Sequence, residues 1–308
     1  MSTALPRVVA VVQHPGLCGT SALRLGVSGE NMRTAAVPNI LSIAGTDPTG
    51  GAGIHADLKA FSAQGAYGMS VITAVVAQNT RGVHSFVALE PAFVADQLAS
   101  VFDDVRVDAV KIGMVANAEI AAVIAEALDR YEHGPVVVDP VMVAKSGDHL
   151  LAPDAVATVR ELLVPRSTVI TPNLPEAAVL AQSARAATSL TEMREIVPAL
   201  HEIGAPWVLL KGGHLPDAPT STDLLSHTGT REQPIEFTAT RVHTNNNHGT
   251  GCTLSAAIAA LLPRHDMAAS VRAAKAYLTA ALQHADALDV GSGHGPVHHF
   301  HALWAAGA

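Results

Sequence analysis

The chain has 308 residues, of which 49% are hydrophobic and only 4% aromatic, and it carries a formal charge of −8. That length holds one large α/β domain or two small ones, and an interior of Ala, Val, Leu and Ile suits parallel strands covered on both faces. The acidic balance, with an isoelectric point near 6.0, argues against nucleic acid as a partner, and no apolar stretch reaches the roughly 18 residues needed to cross a bilayer.

Residues 1–33 hold scattered Gly and Ser and one short apolar run, Val8 to Val12, too brief for a secretory leader. They read as a poorly ordered extension, with the domain at 34–308. From residue 38 onward, strand and helix patterns alternate, the signature of βαβ units. Residues 38–45 form a strand running into glycine, 53–68 a helix closed by Gly65, 70–79 a strand, and 91–104 a helix with proline at its start. Buried strands follow at 108–115, 135–142, 167–173 and 206–213, separated by helices at about 117–130, 153–163, 174–181 and 191–203. Segments 222–227 and 235–242 read as antiparallel additions at one edge, and helices at about 252–262 and 267–287 close the domain. The two cysteines, Cys18 and Cys252, form no framework and no metal-type spacing, which points to a reducing cytoplasm.

Open α/β sheets bind ligands beyond the carboxyl ends of their strands. The residues there are Gly45-Thr46-Asp47, Gln78-Asn79, Gly113-Met114, Asp139-Pro140-Val141, Asn173 and Lys211-Gly212-Gly213. Gly51-x-Gly53-x-x-Ala56 approaches a dinucleotide fingerprint, but the next strand ends Ala77-Gln78-Asn79 without the required acid, and no Walker loop is present. Gly249-Thr250-Gly251-Cys252 is a stronger signal. Its glycines let successive N–H groups converge, and the helix that follows adds the positive end of its dipole, so the segment makes an anion hole. Cys252 in the first turn is expected to have a lowered thiol pKa; the alternative is a buried structural cysteine. Four histidines in 294–301 invite a metal reading, against which stands packing of a C-terminal segment.

The segments 46–54, 73–83, 111–114, 144–148, 171–177, 211–214, 247–257 and 295–301 together resemble the hydroxymethylpyrimidine/phosphomethylpyrimidine kinases of thiamine biosynthesis. These belong to the ribokinase-like superfamily, whose sugar kinases usually carry Asp at the cysteine position. The resemblance runs from about residue 40 to 304 and implies a three-layer α/β sandwich with a mostly parallel sheet. It also implies two ATP-dependent phosphorylations of 4-amino-5-hydroxymethyl-2-methylpyrimidine, with Mg²⁺, in a homodimer. A pyridoxine or pyridoxal kinase of the same fold is the nearest rival.

Carried over residue by residue, the resemblance assigns the transfer centre to Cys252, Gly249, Thr250 and Gly251. It assigns the ring pocket to Gly45, Asp57, Gln78, Met114 and Val141. Gln78 accords with an aminopyrimidine, because a carboxamide accepts from an exocyclic amine while donating to the adjacent ring nitrogen, as Gln reads adenine. For the nucleotide it implies Lys211, Lys145 on a flap, Thr244 and His248, and for Mg²⁺ Asp139, Asn173 and Glu176. Asp57 also suits a helix's first turn, Asn173 and Glu176 suit an N-cap with a first-turn acid, and Lys111 reads as a structural or rim lysine.

Overall fold

The computed structural model describes residues 36–142, 153–216, 219–229 and 233–304. The extension at 1–33, Cys18, and the flap with Lys145 lie outside those residues. In chain order the elements begin with β1 (Asn39–Ala44), α1 (Gly53–Ala63), β2 (Tyr67–Ile72), β3 (Ala74–Asn79), β4 (Gly82–Ala88), α2 (Pro91–Phe102), β5 (Ala109–Ile112) and α3 (Ala118–Arg130). They continue with β6 (Val136–Val138), α4 (Pro153–Thr158), β7 (Val169–Ile170), α5 (Leu174–Leu180) and α6 (Leu190–Glu202). The last are β8 (Trp207–Leu210), β9 (Thr220–His227), β10 (Ile235–Thr240), α7 (Thr250–Leu261) and α8 (Met267–Gln283).

The main sheet runs β10-β9-β8-β7-β6-β5-β1-β2. Its pairs from β2 to β8 are parallel, and β9 pairs antiparallel with both β8 and β10, as expected for the edge segments. Successive strand residues face opposite sides, and the core divides accordingly. Leu41, Ile43, Val110, Ile112, Val136 and Val138 pack with residues of α2, α3, α5 and α6. Ile40, Ala109, Val137, Val169 and Leu209 pack with residues of α1, α7 and α8. By the same parity Ser42 and Lys111 face the α1 and α7 side, which brings charge into an otherwise apolar layer.

Two expectations about the elements are corrected. Residues 70–79 are not one strand: β2 stays in the main sheet beside β1, while β3 leaves it to form a separate two-stranded sheet with β4. The break falls at the fully buried Thr73. Its backbone N–H donates to the Ala44 carbonyl, and its hydroxyl donates to the Met114 carbonyl at 2.6 Å. Those bonds turn the chain, so Gln78 projects from a hairpin and not from the end of a central strand. The helix expected over 153–163 is α only to Thr158 and then widens into a π-turn at Val159–Leu163.

Candidate active site

Chain order reverses between β1 and β5: β2 lies outward of β1 on one side, while β6, β7 and β8 follow β5 on the other. Such a switch point opens a crevice at the strand ends. A cavity of 1410 Å³ is present there, lined by Gly45, Gln78, Met114, Val141, Lys211 and Cys252 among others. Residues far apart in sequence are thus gathered as the strand-end argument expects.

α7 begins in this cavity. Gly249 is its N-cap in the left-handed conformation, φ 76°, and a Cβ there would lie 1.7 Å from the Gly51 carbonyl oxygen. Only glycine fits on both counts. Thr250, Gly251 and Cys252 form the first turn, where N–H groups have no acceptor within the helix. A Cβ on Gly251 would stand 3.2 Å from Lys211 Nζ and 3.6 Å from Asp139 Oδ2, so the positive helix end and a lysine converge on one spot. The sequence placed the helix start at Cys252; it lies two residues earlier, and that puts the Gly-Thr-Gly amides on the helix itself.

Lys211 Nζ donates to Asp139 Oδ1 at 2.8 Å and lies 4.0 Å from Glu176 Oε2. Asp139 also accepts from Thr171 at 3.1 Å and from Ser255 at 3.2 Å. Burial opposes the charge on Lys211, but Asp139 and Glu176 outweigh it and raise its pKa. Glu176 is pushed up to about 7 by burial, with Lys211 pulling down and Asp139 pushing further up. Asn173 and Glu176 form a reciprocal capping box on α5, with bonds of 2.8 and 2.9 Å. The cap alternative therefore holds, and the same two side chains line the cavity.

Lys111 is fully buried yet reaches the cavity wall. Its Nζ donates to Asp57 Oδ2 at 2.9 Å, an oxygen that also accepts from Ser42 at 2.6 Å. Burial disfavours the ammonium, but Asp57, Cys252 and Asp139 more than compensate and its pKa rises. Of the structural and rim readings of Lys111, the structural one holds. Asp57 changes on two counts: it lies in the second turn of α1, whose first turn holds no acid, and, fully buried, it is a counter-ion behind the pocket.

Cys252 also departs from expectation. Its thiol is not activated: burial pushes it up to about 11, although Lys111 and an amide bond from Gly53 act in the opposite direction. Desolvation of a thiolate is the largest of these influences, and Asp57 and Asp139 add to it. Thr244 and His248 line the cavity with their side chains already engaged. The Thr244 hydroxyl donates to Asp286 at 2.6 Å, and His248 Nε2 meets Asp47 Oδ2 at 2.8 Å.

The sequence reading marked Asp47 as a strand end but gave it no role; an acid leading into a glycine turn was the available signal. The apolar wall formed by Val242, Leu278 and Leu282 was missed outright, because helical spacing makes such residues look like core. Of the four C-terminal histidines, His298 and His299 are buried, His301 is half-buried against Tyr277 and His284, and His294 is exposed. Thr253 bonds His299 Nε2 at 3.0 Å, and Tyr277 donates to the His299 carbonyl at 2.8 Å.

Residues 47–298 match the phosphomethylpyrimidine kinase family. The chain is 58% identical over 267 residues to hydroxymethylpyrimidine/phosphomethylpyrimidine kinase of Escherichia coli strain K12, covering 86% of this chain and 98% of that one. Among solved structures it is similar to an ADP complex of Bacillus subtilis pyridoxal kinase, with TM-score 0.79, 33% identity, and 87% and 99% of the two chains covered. It is similar as well to phosphomethylpyrimidine kinase of Clostridium difficile 630, with TM-score 0.68, 40% identity, and 79% and 98% covered. These likenesses carry the ribokinase-like fold, and they span the strand-end cavity and the glycine turn together. The chain belongs to the phosphomethylpyrimidine kinase family.

Proposed function

We propose that the chain transfers the γ-phosphoryl group of ATP to the hydroxymethyl oxygen of 4-amino-5-hydroxymethyl-2-methylpyrimidine, and then a second phosphoryl group to the monophosphate. The carrying observation is that the α7 N-terminus, Lys211, Cys252 and Gln78 share one cavity. In each step a P–O bond to the leaving ADP breaks as a P–O bond to the acceptor oxygen forms. The transition state is loose, so placement and charge neutralisation dominate over base strength. Thr250 and Gly251 amides and Lys211 meet the negative charge of the transferring group, while Cys252, a neutral thiol, holds the acceptor oxygen. Gly45, Met114 and Val141 border the ring, Gln78 reads its amine edge, and Asp57 acts from behind through Lys111. Thr244 and His248 border the phosphates, and Lys145 is assigned to the nucleotide by the resemblance of its segment to the family.

Asp139 and Glu176 fit Mg²⁺. Two buried carboxylates face one cavity beside Lys211, whose Nζ lies 2.8 Å from Asp139 and 4.0 Å from Glu176. Mg²⁺ keeps several waters and needs only one or two carboxylates beside phosphate oxygens; Asn173 fixes the Glu176 backbone. Bound there, the ion supplies charge neutralisation on the phosphates.

The reading extends to a homodimer, supported by the exposed Val75, Phe86 and Val87 on the β3–β4 hairpin, and to a cytoplasmic enzyme whose residues 1–33 stand outside the kinase domain. A solution mass of about twice 31.7 kDa checks the first. Incubation with ATP, Mg²⁺ and the aminopyrimidine alcohol, followed by product mass, tests the activity; two successive phosphate additions are expected, and no addition overturns it. The fold similarity to pyridoxal kinase favours one second reading, a pyridoxine-type acceptor. A side-by-side assay separates them, with Gln78→Ala losing the aminopyrimidine selectively.

A further inference from the structure

The β3–β4 hairpin stands apart from the main sheet, and Asn79 and Arg81 at its tip are exposed. Thr80 between them is only 8% exposed. Turn residues lie at the surface unless another part of the chain covers them, and here the cover is the segment Gly291–Gly295. The His294 N–H donates to the Thr80 carbonyl at 2.7 Å, and the Gly293 N–H donates to the Thr80 hydroxyl oxygen at 3.1 Å. On the outer side, Arg81 Nε donates to Ser292 Oγ at 3.0 Å. The fit leaves no space for a methyl group. A Cβ on Gly291, left-handed at φ 69°, would lie 2.4 Å from the Thr80 hydroxyl oxygen, and one on Gly293 would lie 2.2 Å from the Thr80 carbonyl oxygen.

The far end of the same segment holds the approach to α7. The Gly295 carbonyl accepts from the His248 N–H at 3.0 Å, immediately before the N-cap Gly249. A Cβ on Gly295 would lie 2.1 Å from Asn246 Oδ1, and the Asn246 amide donates to Asp286 at 3.0 Å. One short stretch therefore grips both the loop that leads into the anion hole and the tip of the hairpin that carries Gln78. Gln78, Gly291, Gly293 and His248 all line the cavity. The hairpin is tied again at its base, where the Val76 N–H donates to Thr46 Oγ1 at 2.9 Å. Between these ties the β3–β4 register shifts at Ala77 and Gln78. A bulge disrupts its ladder locally, so the place of Gln78 depends on both ends being held.

We propose that Thr80 is a positioning residue for acceptor recognition: clasped by Gly291–Gly295, it registers the Gln78 hairpin against the phosphate-gathering end of α7. This role rests on the aminopyrimidine reading above and deepens it. Thr80→Val keeps the shape but removes the acceptor of the Gly293 N–H, whereas Thr80→Ser retains it. In Thr80→Val, kcat/KM for the aminopyrimidine alcohol should fall by about 5- to 100-fold, as small misplacements remote from the chemistry do. KM for ATP should stay within about twofold, and Thr80→Ser should restore most of the loss. Gly293→Ala opens the clasp from the opposite side and should reproduce the same split. The two changes combined should lose less than the product of the single losses, because they break one shared contact. Equal rises in KM for ATP and for the alcohol, a serine variant no better than valine, or losses that multiply in full would overturn the proposal.

Should the buried variants not fold, Arg81→Ala removes a bond at the exposed side of the clasp. It should still raise KM for the alcohol by at least about twofold, and an unchanged KM overturns the proposal. Calorimetric titration with the alcohol keeps the two readings apart. A native enzyme that binds and phosphorylates the alcohol, with Thr80→Val doing so equally well, removes the positioning role alone. A native enzyme that neither binds nor phosphorylates it removes the acceptor reading and the positioning role with it.

Discussion

Cys252 is pulled two ways, by Lys111 and the Gly53 amide, which favour a thiolate, and by desolvation, which disfavours it more. A permanently ionised aspartate at this place would repel an acceptor that is itself a phosphate, whereas a neutral thiol does not. Cys252→Asp should therefore depress formation of the diphosphate at least about tenfold more than formation of the monophosphate, a difference of about 1.4 kcal/mol in transition-state stabilisation, when the two steps are timed separately. The thiol itself offers a second check. Its alkylation by iodoacetamide should keep accelerating up to about pH 11, where an unperturbed thiol levels off near pH 9. Lys111 makes the complementary case. Lys111→Met strands the Asp57 carboxylate without its cation, and chemical denaturation should register a loss of about 3–5 kcal/mol. The sequence hid this pair because lysine at an apolar strand's end looks like a rim residue. Only the parity of β5 shows that it points inward.

At the scale of elements, the start of α7 is the most constrained junction. Gly249→Ala must both hold φ near 76° and displace the Gly51 carbonyl. The left-handed backbone alone costs about 1–3 kcal/mol, and activity should fall with stability, measured by thermal melting and turnover. The C-terminal segment gives a pH prediction. Burial, aided by Lys59 and His298, holds the His299 imidazole down at about 3 against 6.5. Between those values the unfolded chain binds a proton that the folded chain refuses. Stability from this group is thus complete above pH 6.5 and drains as pH falls toward 3, at up to about 1.4 kcal/mol per pH unit. His299→Gln should flatten the acid limb of the denaturation profile relative to the parent. Elements were legible where periodicity was long, as in α3 and α8. They were not where a strand changes sheets: nothing in the run Val71 to Asn79 announces that Thr73 is a corner, because the hydroxyl's partner, the Met114 carbonyl, is supplied by a distant part of the chain.

For the whole molecule, the alternation of strand and helix together with the glycine-cysteine turn gave away the layered sheet and the side of it that works. What stayed hidden were the contacts that depend on three-dimensional closure: the engagement of His248 by Asp47, the α8 wall, and the corner at Thr73. A cavity assembled from so many elements ties ligand occupancy to global stability. ADP at a hundred times its dissociation constant should stabilise the fold by about 2.7 kcal/mol, read as a rise in melting temperature that Lys211→Ala abolishes. The contact of Gly249 with Gly51 has a further bearing, on how such enzymes are recombined. Two stretches of chain nearly two hundred positions apart share one interlocked surface with no room for a methyl group, so a chimera that takes the first stretch from one relative and the second from another inherits a mismatch at the wall of the strand-end cavity. Successful shuffling would have to move the pair as a single cassette.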